Sequence, residues 1–192
     1  MNLSDLSKVK ASRVMGIDCS THSMAFCVYY NRKPEVWGKI LFEGSDVFAR
    51  MASAEQRVGA VAQNFHVDYI VFESAILAKV ANADTTIKLA MVYGICIAKL
   101  MKTGTKVVTV KPLEWQAFLG NPNFKPAEKA AVKKEFPIHS AGWYQQKIRS
   151  LRKQKTMDFF NTKFPMMKLT DDDVGDSVGL AYYGYYKLTT RT

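Results

Sequence analysis

Histidine and cysteine are scarce, with three of each in 192 residues. Cys19, Cys27 and Cys96 are odd in number and show no CxxC spacing, and His22, His66 and His139 are scattered. That pattern excludes a disulfide framework and argues against zinc, leaving the thiols as reduced core residues. Long apolar runs are missing too. None reaches the roughly 20 residues that cross a bilayer, and the leader MNLSDLSKVKASR lacks the apolar centre of a secretory signal. The expected setting is the cytoplasm, with no membrane partner. Neither a G-x-x-x-x-G-K-[ST] loop nor a G-x-G-x-x-G fingerprint occurs. Gly175-Asp176-Ser177-Val178-Gly179 mimics the G-x-S-x-G of serine hydrolases. No histidine follows residue 139, however, so their chain order cannot be met.

Acids are also few, 17 against 27 Lys and Arg, and the net charge is +10. Such a balance favours polyanionic partners, nucleic acid foremost. The excess is concentrated, because residues 121–163 carry ten basic side chains against Glu128, Glu135 and Asp158.

Val14 to Asp18 reads as a short buried strand ending in an acid. A small-residue turn follows, then strands over 24–30 and 35–43, with Asn31-Arg32-Lys33-Pro34 as a hairpin loop. Helical spacing governs 46–65, with Ser45 or Asp46 as cap. Tyr69–Phe72 is a strand ending at Glu73, 85–102 a helix apolar around most of its circumference, and 106–110 a strand. A short helix runs from Pro112 to Leu119. The order predicts an α/β fold: a mixed five-stranded sheet, antiparallel meander first and parallel strands after, flanked by helices. Residues 120–142, rich in proline, glycine and charge, read as a mobile insertion. Helices are expected over 143–163 and 171–187. The whole chain, 1–192, reads as one domain with a basic insertion at about 120–163.

Acids stand where structure alone does not ask for them. Asp18 and Glu73 end apolar strands, and the last helix opens with Asp171-Asp172-Asp173, then Asp176. Each has an ordinary alternative as turn residue or helix cap, and Thr170 could itself be the cap. Asp173 and Asp176 share a helix face, as do Asp172 and Asp176, so spacing leaves the pair open. Carboxylates gathered in one place repel unless cations intervene, and Mg²⁺ suits carboxylate oxygen. Two such ions can promote phosphodiester hydrolysis.

Gly16-Ile17-Asp18 resembles the first catalytic motif of RuvC-like Holliday-junction resolvases, of the RNase H-like superfamily. Val71-Phe72-Glu73-Ser74 resembles the second, and Asp173-Val174-Gly175-Asp176-Ser177 the final D-x-x-D. Asn82-Ala83-Asp84, with Ile87-Lys88-Leu89 and the long apolar helix, is similar to the approach to that family's dimer helix. The resemblance implies an RNase H-like fold and a homodimer through helix 85–102. The implied activity is metal-dependent hydrolysis of four-way junctions and other branched DNA, leaving a 5′-phosphate and a 3′-hydroxyl. Asp18, Glu73, Asp173 and Asp176 would then hold two Mg²⁺ per site, with Mn²⁺ able to substitute.

DNA contacts are expected from Ser20, Ile76, Lys79, Asn82 and Lys88. Further contacts come from the basic helix through Lys147, Arg149, Arg152 and Lys153, with Lys155 nearby and Trp143 and Tyr144 as stacking surfaces. Two features depart from cellular members: the position of their aromatic wedge looks to be Ile76, and the 120–163 insertion is long. Both suggest a divergent, phage-type protein in a bacterial host. Asp18-Cys19-Ser20-Thr21-His22-Ser23 also resembles the first phosphate motif of actin-like sugar kinases, but their second phosphate loop and second lobe are missing. An RNase H-like nuclease for RNA–DNA hybrids or flaps, and a non-catalytic junction binder, remain as alternatives.

Overall fold

The computed structural model describes residues 12–73 and 83–189. The meander is β1 (Val14–Cys19), β2 (Ser23–Tyr30) and β3 (Lys33–Leu41). Asn31 and Arg32, with φ of 49° and 64°, form the two-residue turn between β2 and β3. Positive φ at both positions matches the twist of the flanking strands. Next come α1 (Val47–Asn64), β4 (Tyr69–Glu73), α2 (Ala83–Leu100), β5 (Lys106–Val110) and α3 (Pro112–Phe118). The chain continues through α4 (Pro126–Glu135), α5 (Ala141–Lys163) and α6 (Asp172–Leu188). One sheet runs β3-β2-β1-β4-β5, antiparallel from β3 to β1 and parallel from β1 to β5. This is the mixed sheet that the sequence predicts.

Alternation along the strands builds two cores, because successive side chains leave opposite faces. Met15, Ile17, Met24, Phe26, Val28 and Ile70 pack beneath α1 and α2. Val14, Ala25, Cys27, Tyr29 and Val71 pack beneath α6, together with Trp115 of α3 and Met157 and Phe160 of α5. Asp46 caps α1, its carboxylate accepting from the Ala49 N–H at 2.9 Å. Pro34 falls inside β3, where an edge strand tolerates a missing N–H.

The segment 120–142 departs from expectation. Instead of an irregular insertion it contains α4, started by Pro126 and fixed by the Glu128 carboxylate, which accepts from the Lys125 N–H at 2.7 Å. Val132 is buried there, and the Phe136 carbonyl takes the Tyr144 hydroxyl at 2.6 Å. Local capping outweighed the breaker residues that made this stretch read as loop. Among the described residues no helix is long and apolar enough to cross a membrane.

The contact between α6 and β1 decides where the late acids go. A Cβ added to Gly16 would lie 2.2 Å from the Ser177 carbonyl oxygen and 2.3 Å from the Ala181 nitrogen. Only glycine lets the helix backbone rest on the strand. Gly16→Ala is therefore expected to lower stability by about 3 kcal/mol or more, since backbone must move on both sides. Chemical denaturation checks this, and an unchanged midpoint would contradict the packing described.

Candidate active site

Parallel pairing sets Ile17 beside Phe72, so Asp18 and Glu73 end neighbouring strands at the same level. Alternation turns both toward α6 rather than α1, since Val14 and Val71, on the same faces, lie in the α6 core. With α6 seated on Gly16, its first turns bring Asp172, Asp173 and Asp176 over the strand ends. Asp171 is the helix cap, its Oδ1 accepting from the N–H groups of Asp173 (3.0 Å) and Val174 (3.1 Å). The cap is thus Asp171 and not Thr170, because an aspartate at that position reaches two free N–H groups of the first turn.

Two lysines enter this cluster. Lys153 of α5 places Nζ 2.8 Å from Asp172 Oδ2, 3.0 Å from Asp173 Oδ1 and 3.7 Å from Asp176 Oδ2. Lys39 of β3 reaches Asp173 Oδ2 at 2.7 Å and Asp171 Oδ2 at 3.0 Å. Lys39 pairs across the sheet with Ala25, and Ala25 with Asp18, so one row spans the meander. On the opposite side, Trp115 donates its indole N–H to Glu73 Oε1 at 2.8 Å.

Burial and crowding act on the acids together. Burial, then the charges of Asp176, Asp173 and Glu73, hold the Asp18 carboxyl well above its usual range, with Lys153 pulling the other way. Burial also raises Glu73, against the Trp115 hydrogen bond and the charges of Arg149, Lys153 and Arg152. Asp176 is 9% exposed. Burial pushes it up to about 7 despite Lys153, with Glu73, Asp172 and Asp173 adding to the rise. For Asp173 burial acts upward too, but hydrogen bonds from Lys39 and Lys153 outweigh it and hold the group below its ordinary value.

The donor set fits a hard divalent cation. Asp176 Oδ1 is buried without a hydrogen-bond partner among the described residues, and Asp18 and Glu73 offer further oxygens in surroundings that penalise uncompensated charge. Among the described residues, Asp171, Asp172 and Asp173 are the only three acids whose carboxylate oxygens lie within 4.8 Å of one another, but helix cap and lysines already engage them. A cleft of about 340 Å³ opens beside Glu73 and Asp176, walled by Gln116, Gln145, Arg149, Arg152 and Lys153.

Of the residues singled out in the sequence, Asp18, Glu73, Asp173 and Asp176 come together, and Arg149, Arg152 and Lys153 line the cleft. Others lie elsewhere. Ser20 closes its own turn, its Oγ accepting from the N–H groups of His22 (3.1 Å) and Ser23 (3.0 Å). Lys88 pairs with Asp84 on α2. Lys147 sits over the Phe136 ring, 4.5 Å from its centroid, and Trp143 stacks on His139 at 3.8 Å. Tyr144 packs edge-on against Trp143. Ile76, Lys79 and Asn82 lie outside the described residues. Sequence reasoning missed Lys39, Trp115 and the two glutamines, and left Asp172 open as a face-mate of Asp176. None carried a local signal, and Lys39 is placed only by the register of the strands.

No family model matches the chain, and no curated protein matches it. Solved structures do. RuvC of Thermus thermophilus in complex with Holliday junction substrate aligns with a TM-score of 0.58 at 12% identity, covering 91% of this chain and 94% of that one. A second Thermus thermophilus RuvC structure aligns at 0.56 and 12%, with the same coverage. The chain has a RuvC-like, RNase H-like fold. At this identity the likeness speaks for the RuvC-like architecture alone, and the chemistry rests on the residues.

The pKa of Asp176 sets a pH dependence for the metal-free protein. An acid raised from 3.8 to about 7 on folding contributes most below its unfolded value, and that contribution is lost as pH climbs to about 7. Asp176→Asn removes the ionisation. Its stability relative to wild type should therefore increase from pH 4 to 7 and then level off, by about 2 kcal/mol or more. Denaturation curves in chelator across this range measure it, and a constant difference would contradict the assignment.

Proposed function

We propose that this protein is a divalent-cation-dependent endonuclease that hydrolyses phosphodiesters in four-way junctions and other branched DNA. The observation that carries the reading is the convergence of Asp18, Glu73 and Asp176 beside a basic cleft, with the buried Asp176 Oδ1 unpartnered. Carboxylates so placed destabilise the fold unless something cationic is held there. Asp18, Glu73, Asp173 and Asp176 are the residues proposed to hold Mg²⁺ or Mn²⁺. When bound, the cation supplies Lewis acidity toward the phosphate and lets these carboxylates stay ionised together.

The chain's own groups do the rest. Arg149 and Arg152 face the carboxylates across the cleft and would hold a phosphate against them. Arg152 is oriented by donating to the side-chain amide oxygen of Gln116. Trp115 fixes one oxygen of Glu73. Water adds to phosphorus as the P–O3′ bond breaks, giving a 5′-phosphate and a 3′-hydroxyl.

Branched DNA is favoured as substrate by the RuvC-like fold and by α2. Val92, Tyr93, Cys96 and Leu100 of α2 are buried beneath it, whereas Ile87 is 60% exposed and Met101 47%, with Ala90, Gly94 and Ala98 exposed between them. This apolar outer face is the surface proposed to pair with a second copy, setting two sites against two strands. The chain would then be one nuclease domain, with α4 and α5 as its basic insertion, of a divergent, phage-type kind.

Three outcomes follow. On labelled four-way junctions, forks, RNA–DNA hybrids and linear duplexes with Mg²⁺, branched DNA should be cut well and linear duplex poorly. Equal cutting of all four would defeat the junction assignment. Asp18→Asn should reduce nicking by about a thousandfold or more while leaving junction binding in place, and a fully active variant would end the proposal. Junction affinity should also fall steeply with salt, as expected for contacts made through phosphates.

A further inference from the structure

The carboxylate cluster divides into two unequal halves. On the side of Asp172 and Asp173 every bonded oxygen has an ammonium partner. Asp173 gives one oxygen to Lys39 and the other to Lys153, and Asp172 gives Oδ2 to Lys153. On the side of Asp18 and Glu73 no ammonium of the described residues makes a contact. Asp176 straddles the two, with Oδ2 at 3.7 Å from Lys153 and Oδ1 buried and unpartnered.

Lys153 is held in place rather than free to wander. Its side chain is only 15% exposed. The turn of α5 that carries it is locked by Asn121, whose Nδ2 donates to the Arg152 carbonyl (2.8 Å) and to Thr156 Oγ1 (3.1 Å). Thr156 and Met157, the residues after that turn, are buried. Three acidic partners around one ammonium make a compact cation position, filled by the protein itself.

We infer that Lys153 permanently occupies one cation position of the cluster, so that each site takes up a single divalent ion, at Asp18, Glu73 and Asp176, instead of two. The inference rests on the nuclease reading above, and revises the two ions per site that the resemblance implies by leaving Asp173 to the lysines. Lys153 then acts as a fixed counter-charge. The free ion completes the half of the cluster that the lysine does not reach, and the Asp176 oxygen without a partner is its natural ligand.

The test is the number of ions bound, measured without DNA. Titration of Mn²⁺ into the full chain, followed by calorimetry and by the electron paramagnetic resonance of free Mn²⁺, should give one ion per protomer. Asp18→Asn should abolish it. Lys153→Met should admit a second ion, its affinity raised at least tenfold over any second binding in wild type. Lys39→Met should keep the count at one, because Lys153 remains. Two ions of similar affinity in wild type would overturn the inference, as would an unchanged count in a folded Lys153→Met. If that variant does not fold, the wild-type count decides alone. A protein that cuts junctions with two ions bound loses this inference and keeps its function. One that binds a single ion and cuts no DNA loses the function instead.

Discussion

The structure depends on one close approach, the backbone of α6 lying on β1 at Gly16. From that contact the rest of the site follows by geometry. Asp176 precedes Ser177, whose carbonyl oxygen faces Gly16, so its side chain comes down near the end of β1. Asp18 is two residues beyond Gly16 on the same face, and parallel pairing supplies Glu73 alongside. The same helix also meets Trp115, whose ring leaves no room for a Cβ at Gly179, 2.4 Å away. That packing turns the indole N–H toward Glu73. Packing and chemistry therefore share their contacts, and a change that loosens the helix would disperse the acids as well.

Such a gathering of negative charge opposes folding. Burial raises the energy of each carboxylate, and each neighbour raises it further. The protein answers with a long basic helix laid across the opening. α5 brings Lys153 into the acids and Arg149 and Arg152 to the rim, while its other end is tied to α4 through Tyr144 and the Phe136 carbonyl. Trp143 stacks there on His139. The aromatic residues that read as surfaces for bases thus help join two helices, and the positive charge counts toward stability.

Much of this was legible in the chain. Apolar runs ended by acids mark β1 and β4, period and cap mark α1, and the acidic opening marks α6. These signals are local, and local signals survive folding. Residues 120–142 misled because prolines and glycines suggest loop, whereas Pro126 starts a helix and Glu128 fixes its first turn. Thr170 and Asp171 were equivalent as caps until the backbone chose between them. Lys39 was invisible for another reason. Its role depends on the register of β3 against β2 and β2 against β1, which composition does not encode. Trp115 was hidden likewise, since a tryptophan in a short helix reads only as core.

The bonds from Lys39 to Asp171 and Asp173 span 132 and 134 positions of sequence. Ordering so distant a pair carries a large loop-closure cost, and contacts of this kind form late. The first hairpin and the last helix must both be in place before the lysine finds its acids. During synthesis, then, a ribosome-bound chain short of α6 carries Asp18 and Glu73 as two unassisted carboxylates. The carboxylate cluster is complete only when the molecule closes.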